Sequence, residues 1–149
     1  MGNANRKHET MRAAGCGLAE VDRRWVPQGQ KVLIIDDSAI VREQIRRMLV
    51  GPGFVVVEAV DGLDGKRKLD ADGDFCLVLC DVHMPRMNGV ELLETIQAEG
   101  RHAHIPVIML TTEGRPSLMR RAGKAGAKGW LIKPFHARQL LAAAARLVE

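Results

Sequence analysis

Six successive apolar residues, from Phe75 to Cys80, stand directly before an aspartate, Asp81. A short run that is apolar at every position is typical of a central parallel strand covered on both faces. Asp81 then lies at the carboxyl end of the strand, which is the edge of an open α/β sheet where ligands bind. On this stretch alone, a solvated loop aspartate is an equally good interpretation. The other strand ends are therefore needed to decide between the two.

Strand-like apolar runs alternate with helical stripes from Lys31 onward. This alternation is typical of βαβ units, which build a parallel sheet with helices on both faces. We predict strands at residues 31–35, 54–57, 75–80, 105–110 and 129–132. We predict helices at residues 38–50, 63–69, 90–99 and 118–125, and a last helix with Leu140, Leu141, Ala144, Leu147 and Val148 on its inner face.

Length and composition suit one domain with a modest extension, since the 149 residues are 46% hydrophobic. No apolar run is long enough to cross a bilayer, and the N-terminus lacks the apolar segment of a secretory signal. We therefore expect a cytoplasmic protein without membrane insertion. The three cysteines lack metal-ligand spacing and are expected to be reduced. A net charge of +4 permits contact with nucleic acid without favouring it.

The first part of the chain, residues 1–30, shows no sustained periodicity and ends in residues that break secondary structure. We expect a disordered N-terminal extension here. Within it, residues 11–21 could form a short helix, and Trp25 could dock on the domain. The domain itself is expected to span residues 31–149.

Polar side chains follow four of the predicted strands. Asp36 and Asp37 follow the first, Asp81 the third, Thr111 the fourth and Lys133 the fifth. In a parallel sheet these groups meet at one edge. Carboxylates about 5 Å apart repel by roughly 3 kcal/mol per pair at an effective dielectric near 20, so they must take up a cation or a proton. Oxygen ligands with room for water favour Mg²⁺.

An acid, a divalent cation, a hydroxyl and a lysine together indicate phosphoryl transfer onto a carboxylate. Each residue also has a simpler interpretation. The pair Asp37 and Ser38 could serve only to cap a helix, Thr111 could bond to backbone, and Lys133 could be solvated. These simpler interpretations would have to hold independently at each strand end. One shared site explains the pattern better.

The residues at these positions resemble a known family in their order and spacing. The matching segments are Asp36 and Asp37, Asp81 within DVHMPRMNG, Thr111, and Lys133 with Pro134 and Phe135. They are similar to the receiver domain of two-component response regulators, over residues 31–149. The segment LTTEGRPSLMRRAGKAGAKGWLIKPF is similar in particular to single-domain chemotaxis regulators of the CheY type. The resemblance implies a flavodoxin-like fold with five helices and five parallel strands in the order 2-1-3-4-5.

The resemblance also implies a role for each matching residue. Asp81 is the expected phosphoacceptor, and a sensor histidine kinase the expected donor through its phosphohistidine. Mg²⁺ is expected to bind the side chains of Asp37 and Asp81, Asp36 mostly through water, and the backbone carbonyl of His83.

The resemblance assigns a switching role at the other strand ends. Thr111 is expected to reach a phosphoryl oxygen and Lys133 to pair with the phosphate. Trp130 occupies the position of the family's switch aromatic residue, and the alternative for it is a fixed surface anchor.

Other positions carry weaker expectations. His83 and Glu113 stand where the family tunes the access of hydrolytic water, so we expect them to set the lifetime of the phosphate, although His83 could simply be solvated. His102 and His104 are interpreted as solvated loop residues rather than metal ligands. A basic cluster on and after the fourth helix is either a surface for an acidic partner or a solvated face; it consists of Arg120, Arg121, Lys124 and Lys128.

These expectations favour a single-domain response regulator that signals by binding another protein, such as a flagellar switch component in chemotaxis. A phosphorelay intermediate that passes the phosphate to a histidine phosphotransfer protein is an alternative. A DNA-binding regulator is disfavoured because no helix-turn-helix pattern follows the receiver pattern. A phosphohydrolase is disfavoured because Asp36 and Asp37 are adjacent rather than two residues apart. We expect the chain to catalyse only its own phosphorylation and dephosphorylation.

Overall fold

The computed structural model describes residues 28–148. The extension expected at residues 1–30, including the short helix at 11–21 and Trp25, lies outside the described residues except for its last three positions.

Strands and helices alternate along the described chain. The strands are β1 (Lys31–Ile35), β2 (Val55–Ala59), β3 (Phe75–Asp81), β4 (Val107–Thr111) and β5 (Gly129–Ile132). The helices are α1 (Ala39–Val50), α2 (Gly62–Ala71), α3 (Gly89–Glu99), α4 (Pro116–Lys124) and α5 (Ala137–Leu147). The predicted order and type of these elements are confirmed. Only the first or last residues of some elements differ from prediction.

All four strand pairs are parallel, and the sheet order is β2-β1-β3-β4-β5. This confirms the predicted flavodoxin-like topology. Alternate residues of β1 point to opposite faces, so Leu33 and Ile35 pack with α2, α3 and α4, whereas Val32 and Ile34 pack with α1 and α5. Because both faces are covered by helices, the central strands are apolar at almost every position.

Helix caps fix the chain where it leaves the carboxyl edge of the sheet. The Ser38 hydroxyl accepts the Val41 N–H at 3.3 Å and starts α1. Asn88 and Glu91 form a capping box that starts α3. These caps hold the loop after β1, which carries Asp36 and Asp37, and the loop that directly follows Asp81 at the end of β3.

The interpretation of His102 as a solvated residue is wrong. Its side chain is buried, and Nε2 lies 3.2 Å from Oδ1 of Asp70 on α2. Gly73 leaves the space that the imidazole fills, since a Cβ there would lie 3.1 Å from the ring. His104 is exposed, as expected. Among residues 28–148, no helix is long and apolar enough to cross a membrane.

Two glycines allow a paired test of this packing. A Cβ on Gly89 would lie 2.2 Å from the Asp81 carbonyl oxygen, whereas a Cβ on Gly123 in α4 would meet nothing within 4 Å. Gly89→Ala should therefore lower the free energy of unfolding by about 1–3 kcal/mol through overpacking. Gly123→Ala should raise it by roughly 0.5–1 kcal/mol, because alanine loses less backbone entropy in a helix. Urea unfolding followed by circular dichroism measures both; a Gly89→Ala variant as stable as the parent would contradict the close packing of α3 on β3.

Candidate functional site

Three carboxylates meet at the carboxyl edge of the sheet, as the sequence predicts. Side-chain oxygens of Asp36, Asp37 and Asp81 all lie within 4.8 Å of one another. The parallel pairing of β1 with β3, in which Ile35 lies opposite Cys80, brings the two strand ends together. Asp36 and Asp81 are buried and Asp37 is exposed, so the cluster opens to solvent on one side.

Lys133 comes from the end of β5 and reaches the same cluster. Its Nζ lies 2.7 Å from Oδ2 of Asp36 and 3.2 Å from Oδ1 of Asp81. Its backbone N–H donates to the Thr111 carbonyl at 2.7 Å, which ties this position to the end of β4. Only 15% of the side chain is exposed, so the interpretation of Lys133 as a solvated residue does not hold.

The cluster carries more negative than positive charge. Burial, followed by the charge of Asp36, raises the pKa of Asp81 even though Lys133 opposes the shift. Burial disfavours the charged form of Lys133, but its hydrogen bond to Asp36 and the two carboxylate charges outweigh burial and raise its pKa. Among the described residues, Lys133 thus pairs with two of the three carboxylates, Asp36 and Asp81, and not with Asp37. A further cation would relieve the remaining repulsion.

The donor set fits a hard divalent cation. All three side chains present carboxylate oxygens, and the exposed Asp37 leaves a path for a hydrated ion. Mg²⁺ favours such a site because it binds one or two carboxylates and keeps several water ligands. Asp36, Asp37 and Asp81 are therefore the side chains that could hold it.

Thr111 lies at the end of β4, beside the acidic cluster. Leu110 lies opposite Asp81 in the sheet, and Thr111 is the next residue along β4. Its side chain is fully buried, and its hydroxyl oxygen accepts the Glu113 N–H at 3.2 Å. The Thr111 hydroxyl therefore bonds to the backbone, as its simpler interpretation expects. It also lies at the same edge of the sheet as Asp81.

His83 and Glu113 form a bridge between the loops that follow β3 and β4. His83 Nε2 lies 2.7 Å from Oε1 of Glu113, and Oε2 of Glu113 accepts the Arg115 Nε–H at 3.0 Å. The hydrogen bond from His83 is the main cause that lowers the pKa of Glu113. The sequence singled out both positions, but it contained no signal that they pair with each other or that Arg115 takes part.

A second ion pair near the site was missed by the sequence interpretation. Asp61, the N-cap of α2, accepts the Arg86 Nε–H at 2.7 Å and also pairs with Arg86 Nη2. The Asp-Gly pair after β2 is a helix-start signal, but it does not identify the partner of the aspartate.

Trp130 lies on β5 opposite Met109 and packs half-buried against the core beneath α3 and α4. Its indole Nε1–H is buried and has no hydrogen-bond partner among residues 28–148. It is therefore packed, yet one of its polar groups is unsatisfied in this conformation.

The predicted basic cluster is divided by the structure. Arg120, Lys124 and Lys128 are exposed. Arg121 instead makes two hydrogen bonds to Glu94 on α3, at 3.0 and 2.9 Å, and so joins α3 to α4. Its charge is already neutralised within the chain.

Comparison with known proteins agrees with this geometry. Residues 32–145 match the response regulator receiver domain. The chain is 40% identical over 106 residues to chemotaxis protein CheY1 of Helicobacter pylori strain J99, covering 70% of this chain and 86% of that protein. It is 38% identical over 114 residues to chemotaxis protein CheY-3 of Vibrio cholerae serotype O1, covering 76% and 87%. The solved structure of Vibrio cholerae chemotaxis protein CheY4 has a TM-score of 0.76 at 33% identity, covering 80% of this chain and 99% of that one. An acidic cluster with a lysine at the edge of this sheet, together with these matches, shows that the chain belongs to the receiver domain family of response regulators and is of the CheY type.

Proposed function

We propose that this protein is a single-domain response regulator that accepts a phosphoryl group on Asp81 and signals by binding other proteins. The observation that carries the proposal is the cluster of three carboxylates at the carboxyl edge of the sheet, two of which contact Lys133. Residues 31–149 form the receiver domain in this proposal, and residues 1–30 an extension to it.

The proposed donor is a phosphohistidine of a sensor histidine kinase. An oxygen of the Asp81 carboxylate attacks the phosphorus, and the O–P bond forms as the N–P bond to the histidine breaks. The electron pair of that bond leaves with the imidazole nitrogen, which can take a proton from solvent. Hydrolysis later returns the carboxylate and inorganic phosphate when water attacks the same phosphorus.

Mg²⁺ would be held by Asp37 and Asp81, by Asp36 through water, and by the backbone carbonyl of His83. When bound, it supplies positive charge that compensates the phosphoryl oxygens and the crowded carboxylates. The chain itself contributes Lys133 on one side of Asp81, where the ammonium is in place to pair with a phosphoryl oxygen. The protein needs little chemistry of its own beyond this placement of charge.

Thr111 and Trp130 are the proposed switch. Thr111 would turn its hydroxyl toward a phosphoryl oxygen, and Trp130 would change position as the β4–α4 loop moves. The unpaired indole N–H supports this role, because a buried unsatisfied donor costs about 1–3 kcal/mol. A conformation that hydrates or pairs this group can therefore compete with the one described.

The proposed output is a protein contact rather than a contact with nucleic acid or a membrane. Arg120, Lys124 and Lys128 form an exposed basic surface that suits an acidic partner. Chemotaxis is the proposed pathway because the similar proteins named above are chemotaxis proteins. A flagellar switch component is one protein target of this kind. Catalysis is confined to the chain's own phosphorylation and dephosphorylation.

The phosphoacceptor role is tested with acetyl phosphate and Mg²⁺, followed by intact-protein mass. The parent should gain one phosphoryl group only when Mg²⁺ is present, and Asp81→Asn should gain none. Because burial and Asp36 raise the pKa of Asp81, folding disfavours its charge, and the neutral variant should unfold cooperatively in metal-free urea at the parent's midpoint or above. Equal phosphorylation of the parent and Asp81→Asn would refute the assignment.

The lifetime of the phosphate is proposed to depend on the bridge between His83 and Glu113. The bridge spans the loops after Asp81 and Thr111 and restricts the approach of water to the phosphoryl group. Glu113→Ala should shorten the half-life of the phosphorylated protein by a few-fold to about tenfold, equivalent to up to about 1.4 kcal/mol of activation free energy. The measurement is the decay of the phosphorylated mass after acetyl phosphate is removed.

Arg115→Ala is the matched control for this prediction. It removes the outer contact to Oε2 of Glu113 but leaves the contact between His83 and Oε1. Its half-life should stay close to that of the parent. If Glu113→Ala and Arg115→Ala decay at the same rate as the parent, the bridge has no part in the lifetime.

A further inference from the structure

The loop between Asp81 and α3 contains an unusual turn at Arg86. Among residues 28–148, Arg86 is the one non-glycine residue with a positive φ, which is 68°. The Met87 N–H donates to the Pro85 carbonyl at 2.7 Å, so Arg86 is the central residue of a three-residue turn. Three-residue turns with positive φ are rare and strained. Some other interaction must hold Arg86 in this conformation.

That interaction is the ion pair with Asp61. The Asp61 side chain is only 3% exposed, and its Oδ2 accepts from both Nε and Nη2 of Arg86. Its other oxygen, Oδ1, accepts the Asp64 N–H at 2.8 Å and caps α2. The Asp64 N–H and, next among the favourable contacts, Arg86 hold the pKa of Asp61 below its usual value. A buried carboxylate without the guanidinium would be left with an uncompensated charge.

The backbone around this ion pair is packed against α2. A Cβ on Gly62 would lie 2.6 Å from the Met87 carbonyl oxygen, so the start of α2 lies directly on the turn. At the other end of the loop, the Gly89 N–H donates to the Val82 carbonyl at 2.9 Å. The segment from Val82 to Asn88 is therefore held at two places. Its two ends are joined where β3 meets α3, and the turn in its middle is held by Asp61.

This segment also contains His83, whose backbone carbonyl is the proposed Mg²⁺ ligand, and it directly follows Asp81. We propose that Arg86 is a positioning residue for the metal site: its ion pair with Asp61 holds the strained turn and so presets the loop for Mg²⁺. The proposal rests on the proposed function, because it concerns the same site. Arg86 acts through the loop backbone and does not itself touch the phosphoryl group or the ion.

The sign of the effect on Mg²⁺ affinity separates this role from simple electrostatics. Loss of a positive charge near an acidic cluster should by itself strengthen the binding of a cation. Loss of a positioning residue should weaken it, because part of the binding free energy is then spent on ordering the loop. A variant of Arg86 that binds Mg²⁺ more weakly therefore has a positioning defect that outweighs its charge effect.

The variants can be chosen so that the ion pair is what they remove. Arg86→Ala removes the guanidinium and, like arginine, has no special tolerance of a positive φ, so nothing replaces the lost ion pair at the turn. Asp61→Asn removes the charge but remains a good helix N-cap. Arg47→Ala is the matched control, since it also removes one positive charge, and Arg47 pairs only with Glu43 of its own helix in the described contacts.

Isothermal titration of the full chain with Mg²⁺, without a phosphodonor, is the test, and urea unfolding confirms that each variant is folded. Arg86→Ala and Asp61→Asn should each weaken Mg²⁺ binding, by roughly tenfold. The double variant should be no weaker than the single variants, because the two residues act through one interaction. Arg47→Ala should bind as the parent does or slightly more tightly.

Two results would overturn the inference, and they are distinguishable. If the parent binds Mg²⁺ and Arg86→Ala binds it equally well or better, the metal site stands and the positioning role is wrong. If the parent itself does not bind Mg²⁺, the proposed metal site fails and the inference fails with it.

Discussion

Electrostatic repulsion among three carboxylates at the ends of β1 and β3 is the constraint on which the rest of the site depends. The parallel sheet brings Asp36, Asp37 and Asp81 within 4.8 Å of one another, and two of them are buried. Repulsion of this kind, about 3 kcal/mol per pair at 5 Å and an effective dielectric near 20, must be offset by positive charge. The ammonium of Lys133 offsets part of it. The remainder favours the uptake of a further cation, and the proposed chemistry at Asp81 depends on that positive charge.

Lys133 also connects the acidic cluster to β5, the strand at one edge of the sheet. Lys133 contacts Asp36 and Asp81 through its side chain and the end of β4 through its backbone, and it directly follows β5. Trp130 lies on that strand with an unsatisfied indole N–H. A change in the charge of Asp81 therefore acts directly on Lys133, which follows the last residue of β5. Trp130, the proposed switch residue, lies three positions before Lys133 on that strand, so one strand connects the proposed acceptor with the proposed switch.

Regular patterns in the sequence were sufficient to predict the parallel sheet and the grouping of polar residues at its edge, whereas the strand order came from the resemblance to receiver domains. Apolar runs of strand length predict the buried strands, and parallel strands bring Asp36, Asp81, Thr111 and Lys133 to one edge. The pairs made by loop side chains could not be predicted. The contacts of His83 with Glu113 and of Asp61 with Arg86 depend on loop conformations, including a positive φ, that leave no periodic signal. Burial of His102 likewise depends on the space above Gly73.

Chemical mapping of the modified residue tests the central claim most directly. The protein would be phosphorylated with acetyl phosphate and Mg²⁺, reduced with borohydride, digested and sequenced by mass spectrometry. Borohydride reduces an aspartyl phosphate to homoserine but leaves an ordinary carboxylate unchanged, so the acceptor is marked in the peptide that contains it. The account predicts homoserine at position 81 and unmodified aspartate at Asp36 and Asp37. Homoserine at either of those two positions, or phosphate on a side chain that borohydride does not reduce, would contradict it.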